Sequence, residues 1–395
     1  MTHNSKRNYD VIIAGGAIIG SSIAWFLSRQ SLFNGRVLVI EQDPGYRKCS
    51  TSLSISSIRQ QFSSEVNIRI SRFGFEFLRS IEKQSEQEGG IGLVEQGYLL
   101  LAGEEGAELL RRNVQLQRCE GADIGLFEPS ELAKLYPWLN VDGVTMASLG
   151  LSGEGWFDAY SLMQYFKRGA RENGVTYIQG EVTGLDVNAG RVAGVLLADG
   201  SQYGCGHFVN AAGTGAAGIA KMAGIDVRIE PRKRCVFVID CREGGSVSNC
   251  PHLIDYTGVW VKPKGQYFIT GTTPPEGRDP PCSDFDVDHY LFDEYVWPVL
   301  AWRIPVFEAI KVVTAWAGHY AYNVLDQNAI IGPHPSLRNF FFANGFSGHG
   351  VQQAPAVGRA ISEYIVYGKY VSLDLSDLSF DRILEGRAVL EKNVF

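Results

Sequence analysis

A glycine-rich turn between two apolar strands is the first place where residue types and spacing point to chemistry. The turn reads Gly15-Gly16-Ala17-Ile18-Ile19-Gly20 and follows a short apolar run. A helical pattern and a second apolar strand come next, and the unit closes on Glu41. This order is the layout of a dinucleotide-binding βαβ unit, in which the pyrophosphate lies on helix N-terminal amides and the acid binds a ribose hydroxyl. NAD and FAD both use this unit, so the turn alone does not distinguish them.

One residue of the turn departs from the usual fingerprint. Ala17 occupies the position of the middle glycine, and its Cβ points into the space through which the pyrophosphate approaches. We therefore expect weaker nucleotide binding, unless Gly16 beside it relaxes the loop. The alternative interpretation is a glycine-rich turn that joins strand to helix in another kind of α/β protein.

Small hydroxyl residues and one arginine follow Glu41. Ser50, Thr51 and Ser52 belong to a serine-rich loop whose hydroxyls and amides suit contact with phosphate. Arg59 carries the only charge between Lys48 and Glu65, and we interpret it as a site residue rather than a surface arginine.

Two later segments also bring backbone into position to approach a nucleotide. A strand from His207 ends in the small residues Ala212 and Gly213, and the turn Gly345-Phe346-Ser347-Gly348-His349-Gly350 opens a helix that runs to Gly368. Strand-rich segments separate these nucleotide signals. The pattern indicates an α/β domain that is interrupted by a second one.

Size and composition limit the class of protein. A chain of 395 residues suggests two domains, and its net charge of −7 argues against a nucleic-acid partner. No apolar run is long enough for a membrane span, and the first strand begins too close to Met1 for a signal or transit peptide. Seven cysteines without a C-x-x-C motif indicate reduced thiols, and no histidine spacing indicates a metal site. We expect a cytoplasmic protein, with peripheral association with the inner membrane left open.

Taken together, these motifs and the segment Trp316-Ala317-Gly318 resemble the D-amino-acid oxidase/sarcosine oxidase family of flavoproteins. Within the family, the chain is similar to mitochondrial members that act as assembly factors for respiratory complex I. The resemblance implies FAD as cofactor and a doubly wound, glutathione-reductase-type FAD domain with an inserted antiparallel α+β substrate domain. The implied bounds are 1–85, 146–228 and 318–395 for the FAD domain, and 86–145 and 229–317 for the substrate domain. The implied cofactor contacts are Gly15, Gly16, Ala17, Ile19, Gly20, Glu41, Gln42, Ser50, Thr51, Ser52, Arg59, Val182, Ala212, Gly213, Gly318, Gly345, Phe346, Gly348, His349, Gly350 and Gln352.

The chemistry implied by the resemblance is removal of a hydride from the carbon next to an amine. Arg59 matches the arginine that pairs with the substrate carboxylate in sarcosine oxidases. His319 lies close to the flavin-linking position of those enzymes and is expected to be a pocket residue. Tyr256 is expected in the wall of the substrate site, with a plain core aromatic as the alternative.

Three departures from the family pattern bear on activity. Gln352 replaces a lysine that anchors the carboxylate, and the strand Tyr267 to Thr270 lacks the oxygen-activating lysine of sarcosine oxidases. The arginine that glycine oxidase carries after the Trp316 segment is also absent. We therefore expect an amino-acid or N-methyl-amino-acid dehydrogenase that passes electrons to a quinone, a carrier flavoprotein or oxygen. The alternative is a flavin-binding assembly or chaperone factor with little or no catalysis.

Overall fold

The protein is described by a computed structural model that covers residues 7–85 and 90–392, and the predicted domain boundary at 85/86 borders the part outside this description. The strands are β1 (Arg7–Ala14), β2 (Val37–Glu41), β3 (Ser57–Ile58), β4 (Tyr98–Ala102), β5 (Ile124–Phe127), β6 (Met146–Gly150), β7 (Gly155–Trp156), β8 (Thr176–Gln179), β9 (Val182–Asn188), β10 (Arg191–Leu197), β11 (Gln202–Asn210), β12 (Ile229–Cys241), β13 (His252–Ile254), β14 (Trp260–Lys264), β15 (Tyr267–Gly271), β16 (Ile310–Asn323), β17 (Ile330–Pro333) and β18 (Phe340–Asn344). The α-helices are α1 (Ile18–Leu27), α2 (Glu65–Ser85), α3 (Glu104–Cys119), α4 (Pro129–Leu135), α5 (Ala159–Glu172), α6 (Ala216–Met222), α7 (Trp297–Arg303), α8 (Gly350–Tyr367) and α9 (Asp381–Glu385).

The first sheet is the expected nucleotide-binding layer. Its order is β17-β18-β11-β1-β2-β8, and the β9–β10 hairpin joins it through β11. β1 is parallel to both β2 and β11, and β11 is parallel to β18. The buried parts of these strands, such as 11–14 and 37–40, are apolar, and helices cover the sheet, with α1 packing against both α5 and α8. The carboxyl ends of β1, β2 and β18 therefore meet at one edge.

The second sheet is mainly antiparallel and has two different faces. Its order is β16-β12-β15-β14-β13-β4-β6-β5. One face, which we call the outer face, forms a core with α7 and includes Leu99, Leu253, Val261 and Ala317. Strand residues alternate between faces, so their neighbours lie on the opposite, inner face: Tyr98, His252, Trp260, Lys262, Trp316 and Tyr320.

The sheets divide the chain slightly differently from the predicted domain bounds. β6 lies within the predicted FAD segment 146–228, but it pairs with β4 and β5 of the second sheet. β16 extends past residue 318 because it pairs with β12 along its whole length. The second sheet therefore includes a few residues that lie beyond each of these predicted boundaries.

The aromatic-rich segment 285–299 favours a helix over its whole length, but the helix begins later than its composition suggests. Asp284 and Asp288 form ion pairs with Lys233 at 3.1 Å, which hold the preceding segment against β12. The helix then begins at Tyr290 and passes through a π-turn, Phe292–Val296, before α7. Pro298 lacks the N–H that a regular turn would need, and the wider turn accommodates its ring. In the described part of the chain, no helix is both long enough and apolar enough to cross a membrane.

Candidate active site

The first glycine turn packs against backbone and leaves no room for side chains. Gly15 has φ of +99°, and a Cβ there would lie 2.4 Å from the Ala211 carbonyl oxygen. A Cβ on Gly20 would lie 1.9 Å from the Gly15 carbonyl oxygen. Both glycines are therefore required by the approach of β1, β11 and α1.

Helix α1 presents free amides at the end of this turn. Ala17 is its N-cap residue, with φ of −70°, and its own side chain forms no capping hydrogen bond. The first turn of α1 contains no acidic residue. An uncapped N-terminus with its positive dipole end suits an anion such as a pyrophosphate. The negative φ also shows that Ala17 fits the turn without backbone strain.

Glu41 is oriented by two amides at the edge of the turn. Its Oε2 accepts from Gly16 N at 2.8 Å, and its Oε1 accepts from Asp43 N at 2.9 Å. Each carboxylate oxygen retains a lone pair for a ribose hydroxyl. The amide of Gly180 donates to the Glu41 carbonyl at 3.0 Å, which places Val182, at the start of β9, close by.

The hydroxyl loop connects the start of α1 to the edge strand β16. Ser50 Oγ donates to the His319 carbonyl at 2.7 Å, and Thr51 Oγ1 lies 3.4 Å from Ile18 N. Ser52 Oγ lies 3.4 Å from Cys49 Sγ. The predicted phosphate loop is therefore in contact with the first turn of α1.

The last glycine turn supplies a second uncapped helix start. Gly345 and Gly348 have φ of +73° and +100°, and a Cβ on Gly348 would lie 2.6 Å from the Tyr320 ring. His349 is the N-cap of α8, which lacks a side-chain cap and an acidic residue in its first turn. This positive end suits the electron-rich edge of a reduced flavin.

The remaining predicted cofactor residues lie around these turns. Ala212 and Gly213 follow β11 beside Gly15, and Gln42 is exposed after β2. The side chain of Ile19 packs in the core, so this residue offers the site only its backbone. Gly318 on β16 faces Leu53, Gly350 opens α8 beside Phe346, and Phe346 bridges to β16.

Arg59 is buried beside the start of α8. It is 8% exposed, and its guanidinium carbon lies 4.8 Å from the centre of the Phe62 ring. The Arg59 amide donates to Gln352 Oε1 at 2.8 Å, and the His349 ring lies 5.1 Å from Phe62. Gln352 therefore positions the backbone of Arg59, a role that the sequence did not predict.

A buried carboxylate fixes the segment around Arg59. Glu154 Oε1 accepts from the amides of Gln60 at 2.6 Å and Gln61 at 3.1 Å. Its Oε2 accepts from Gln61 Nε2 at 2.9 Å and from the amide of Tyr98 at 3.1 Å. Burial raises the pKa of Glu154 to about 7, although the four donors favour its ionised form. Glu154 thus ties the Arg59 segment to β4 of the second sheet.

The inner face of the second sheet contributes polar groups near Arg59. The rings of Tyr98 and His252 lie 4.3 Å apart, and Lys262 Nζ donates to the Ile55 carbonyl at 2.6 Å. Burial, then Lys262 and Arg59, lowers the pKa of His252. Burial and Arg59 lower the pKa of His349 to about 3. Both imidazoles are therefore neutral, and Arg59 is the cation that acts on both of them.

Two predicted catalytic residues are placed on the other face of the sheet. The His319 ring packs 4.3 Å from the Phe285 ring, opposite in direction to Tyr320, and only its carbonyl reaches the loop at Ser50. Tyr256 packs in the outer core, with the Arg303 guanidinium carbon 5.3 Å from its ring. The structure thus brings Arg59 and His349 together but directs the side chains of His319 and Tyr256 away from them.

Four residues near Arg59 could not be identified as site residues from the sequence. Tyr98, His252 and Lys262 belong to no motif that marks them as site residues, and they lie in β4, β13 and β14. Lys262 lies opposite Ile269 in the β14–β15 pair. The β14–β15 pair therefore carries a lysine on β14 and none from Tyr267 to Thr270 of β15. Glu154 follows a glycine and carried no local signal.

Comparison with known proteins decides the family. The sequence profile described as FAD dependent oxidoreductase matches residues 10–364. The chain belongs to this family. It is 41% identical to FAD-dependent oxidoreductase domain-containing protein 1 of Xenopus laevis, over 98% of this chain and 84% of that protein. It is 24% identical to human mitochondrial sarcosine dehydrogenase, over 91% of this chain and 40% of that protein.

A solved structure agrees with this family assignment. L-proline dehydrogenase from P. horikoshii superimposes with a TM-score of 0.86 at 28% identity, covering 97% of this chain and 100% of that one. The predicted FAD-binding α/β fold and the FAD cofactor are thereby confirmed. The two uncapped helix starts, the glycine turns and Glu41 fit this cofactor.

Replacing Gly20 should abolish flavin binding. In Gly20→Ala the added methyl group would clash with the Gly15 carbonyl, so the turn must deform. We expect the purified variant to lose most of its flavin absorbance. Gly218→Ala is the control, because that helical glycine of α6 faces open space. A Gly20→Ala variant with full flavin content would contradict this account of the turn.

The ionisation of Glu154 should appear in the pH dependence of stability. A carboxyl group with a raised folded-state pKa stabilises most below its unfolded pKa and loses that contribution as pH rises. Between pH 4.5 and pH 7 the stability of the wild type relative to Glu154→Gln should fall by on the order of 3 kcal/mol. Thermal unfolding across this range measures the difference. A pH-independent difference would show that Glu154 is ionised throughout.

Proposed function

We propose that this chain oxidises the C–N bond of an amino acid or N-methyl amino acid as an FAD-dependent dehydrogenase. The observation that carries the proposal is the position of Arg59, buried beside the start of α8 and close to two neutral imidazoles. The similarity to sarcosine dehydrogenase and L-proline dehydrogenase supports the same class of reaction.

Each residue of the group has a task in this reaction. The Arg59 guanidinium binds the substrate carboxylate in a bidentate manner, and Gln352 and Glu154 fix the backbone around it. Aromatic residues of the inner face exclude bulk water. The chemistry that FAD supplies when bound is acceptance, at N5, of a hydride from the carbon next to the nitrogen. The resulting imine is then hydrolysed by water.

The electron acceptor is proposed to be a quinone or a carrier protein rather than oxygen. Reduction of oxygen produces an anion, which a nearby cation stabilises. Lys262 is the candidate cation, but burial keeps its pKa well below the usual range and its Nζ is bonded to the Ile55 carbonyl. A neutral amine gives oxygen little assistance.

Reduced protein should therefore react slowly with oxygen, and faster as the pH is lowered. Protonation of Lys262 at lower pH adds the missing charge. Stopped-flow reoxidation at several pH values measures the effect, with Lys262→Met expected to lose it. Lys311→Met is the control, since this exposed lysine of β16 is not among the groups that act on the pKa of Lys262. A rapid, pH-independent oxygen reaction would favour an oxidase instead.

Anaerobic mixing with candidate substrates tests the proposed reaction. The purified flavoprotein is mixed with N-methylglycine, N,N-dimethylglycine, proline and D-amino acids, and the flavin absorbance is followed. Bleaching by at least one of these compounds is expected. If none of them bleaches the flavin, the proposed reaction is wrong.

Arg59→Lys should lower turnover without releasing the flavin. Lysine keeps the charge but cannot form the paired hydrogen bonds. We expect kcat/KM to fall about 10- to 100-fold, since a hydrogen bond between charged groups contributes about 1.5–3 kcal/mol. Arg111→Lys on the exposed side of α3 is the control. Unchanged kcat/KM in Arg59→Lys would exclude the carboxylate role.

The assembly-factor alternative was motivated by two residues, Ala17 and Gln352. Ala17 fits the turn with a negative φ, and Gln352 positions Arg59 through its amide oxygen. Neither position therefore argues against turnover, and the enzyme proposal is preferred.

A further inference from the structure

The last described segment of the chain, residues 386–392, lies against the start of α2, and we call it the strap. It is largely exposed, and Leu390 in it is 59% exposed. The Lys392 amide donates to Ser63 Oγ at 2.6 Å, and Asn113 Nδ2 donates to the Lys392 carbonyl at 2.8 Å. Hydrogen bonds therefore hold a segment that buries little apolar surface, and such segments open at the lowest free-energy cost in a native protein.

Glu391 is the main anchor of the strap. Its Oε2 accepts from Ser63 N at 2.6 Å and from Ser63 Oγ at 2.9 Å. Its Oε1 accepts from Ser64 Oγ and from Asn67 Nδ2, the latter at 2.7 Å. The carboxylate also lies at the N-terminus of α2, where the helix dipole favours a negative charge. One residue of the strap thus satisfies four donors at the start of a 21-residue helix.

Asn67 connects this anchor to the start of α8. It is fully buried, and its Oδ1 accepts from Gln353 Nε2 at 2.9 Å. While Gln353 donates to Oδ1, the Asn67 amide presents its NH2 group to Glu391 Oε1. A rotated amide would place Oδ1 against the carboxylate, and two acceptors cannot form a hydrogen bond. The orientation of Gln353 therefore decides whether Asn67 can hold the strap.

A second connection runs through Phe62, the residue before Ser63. The centre of the Phe62 ring lies 4.8 Å from the Arg59 guanidinium carbon and 5.1 Å from the centre of the His349 ring. His349 is the N-cap of α8. Both connections therefore lead to the first turn of α8, whose positive end suits the electron-rich edge of a reduced flavin.

We propose that the strap is an allosteric clamp with a docked and a released state: docking of Glu391 at the start of α2 and binding of FAD at the start of α8 favour each other. The first turn of α8 is fixed when flavin is bound, and the Gln353 donor then stays directed at Asn67. By thermodynamic reciprocity, the docked strap raises the affinity for FAD by the same factor by which FAD favours docking. The clamp requires bound flavin but no particular substrate or reaction, and so goes beyond the proposed function.

Limited trypsin digestion of the wild-type protein with and without FAD measures strap docking. Cleavage after Arg387 requires the strap to open, and mass spectrometry of the products identifies the site. The flavin-free protein should be cleaved there about five- to tenfold faster than the holoprotein, at the low end of common coupling factors. Cleavage after Arg242, an exposed residue that follows β12, reports general opening and should change much less. Equal acceleration at both sites would overturn the clamp.

Two substitutions test the ends of the connection. Glu391→Gln removes the anchoring charge, so the Kd for FAD should rise about five- to tenfold, as it should in a chain that ends at Arg387. Glu108→Gln, at an exposed glutamate of α3, is the control and should bind FAD like the wild type. Gln353→Met lacks the donor to Asn67, so FAD should no longer slow cleavage after Arg387.

Thermal unfolding of the flavin-free variants shows whether each is folded, and the digestion of the wild type needs no variant. Wild-type affinity for FAD in both Glu391→Gln and the shortened chain would overturn the clamp. So would a folded Gln353→Met protein in which FAD still slows cleavage. A wild type whose flavin is bleached by no amine would instead overturn the proposed function and leave the clamp standing.

Discussion

The close contact between α1 and α8 is the constraint on which the site depends. Ser22 Oγ donates to the Ala354 carbonyl at 2.8 Å, and a Cβ on Gly358 would lie 2.1 Å from that hydroxyl. Only glycine at 358 permits this approach. Both helices begin directly after glycine turns at the same edge of the first sheet. Their contact therefore places two uncapped N-termini together, one suited to a pyrophosphate and the other to the flavin ring.

The second sheet completes the site through buried polar contacts. Glu154 and Gln352 bond to the backbone on either side of Arg59, one from the β6–β7 connection and the other from α8. A side chain that must orient a substrate gains precision when its backbone is held from two directions. The same contacts bring Tyr98 and the inner face of the sheet to Arg59, so the domains share one site.

The parts that could be predicted from sequence are those set by local chemistry. The βαβ unit and the final glycine turn follow from neighbouring residues, as does α5, which Asp158 caps through the amides of Tyr160 and Ser161. Arg59 could be identified as a site residue because its segment contains no other charge. The residues that hold it could not, since their bonds join segments about 90 to 290 residues apart.

The direction of the His319 side chain follows from the alternation of residues along β16. Successive strand residues point to opposite faces, so a shift of one residue exchanges inside and outside. In β16 the inner face takes Trp316 and Tyr320, which leaves His319 outside. Sequence located the right strand but could not fix its orientation.

The central claim is that three distant segments converge to bind a whole FAD molecule. Titration of the flavin-free protein with FAD and, separately, with FMN tests it most directly, because FMN lacks the half that the first turn would hold. The account predicts stoichiometric binding of FAD and much weaker binding of FMN, with Gly20→Ala abolishing the difference. Equal affinity for both flavins, or no binding of either, would contradict it.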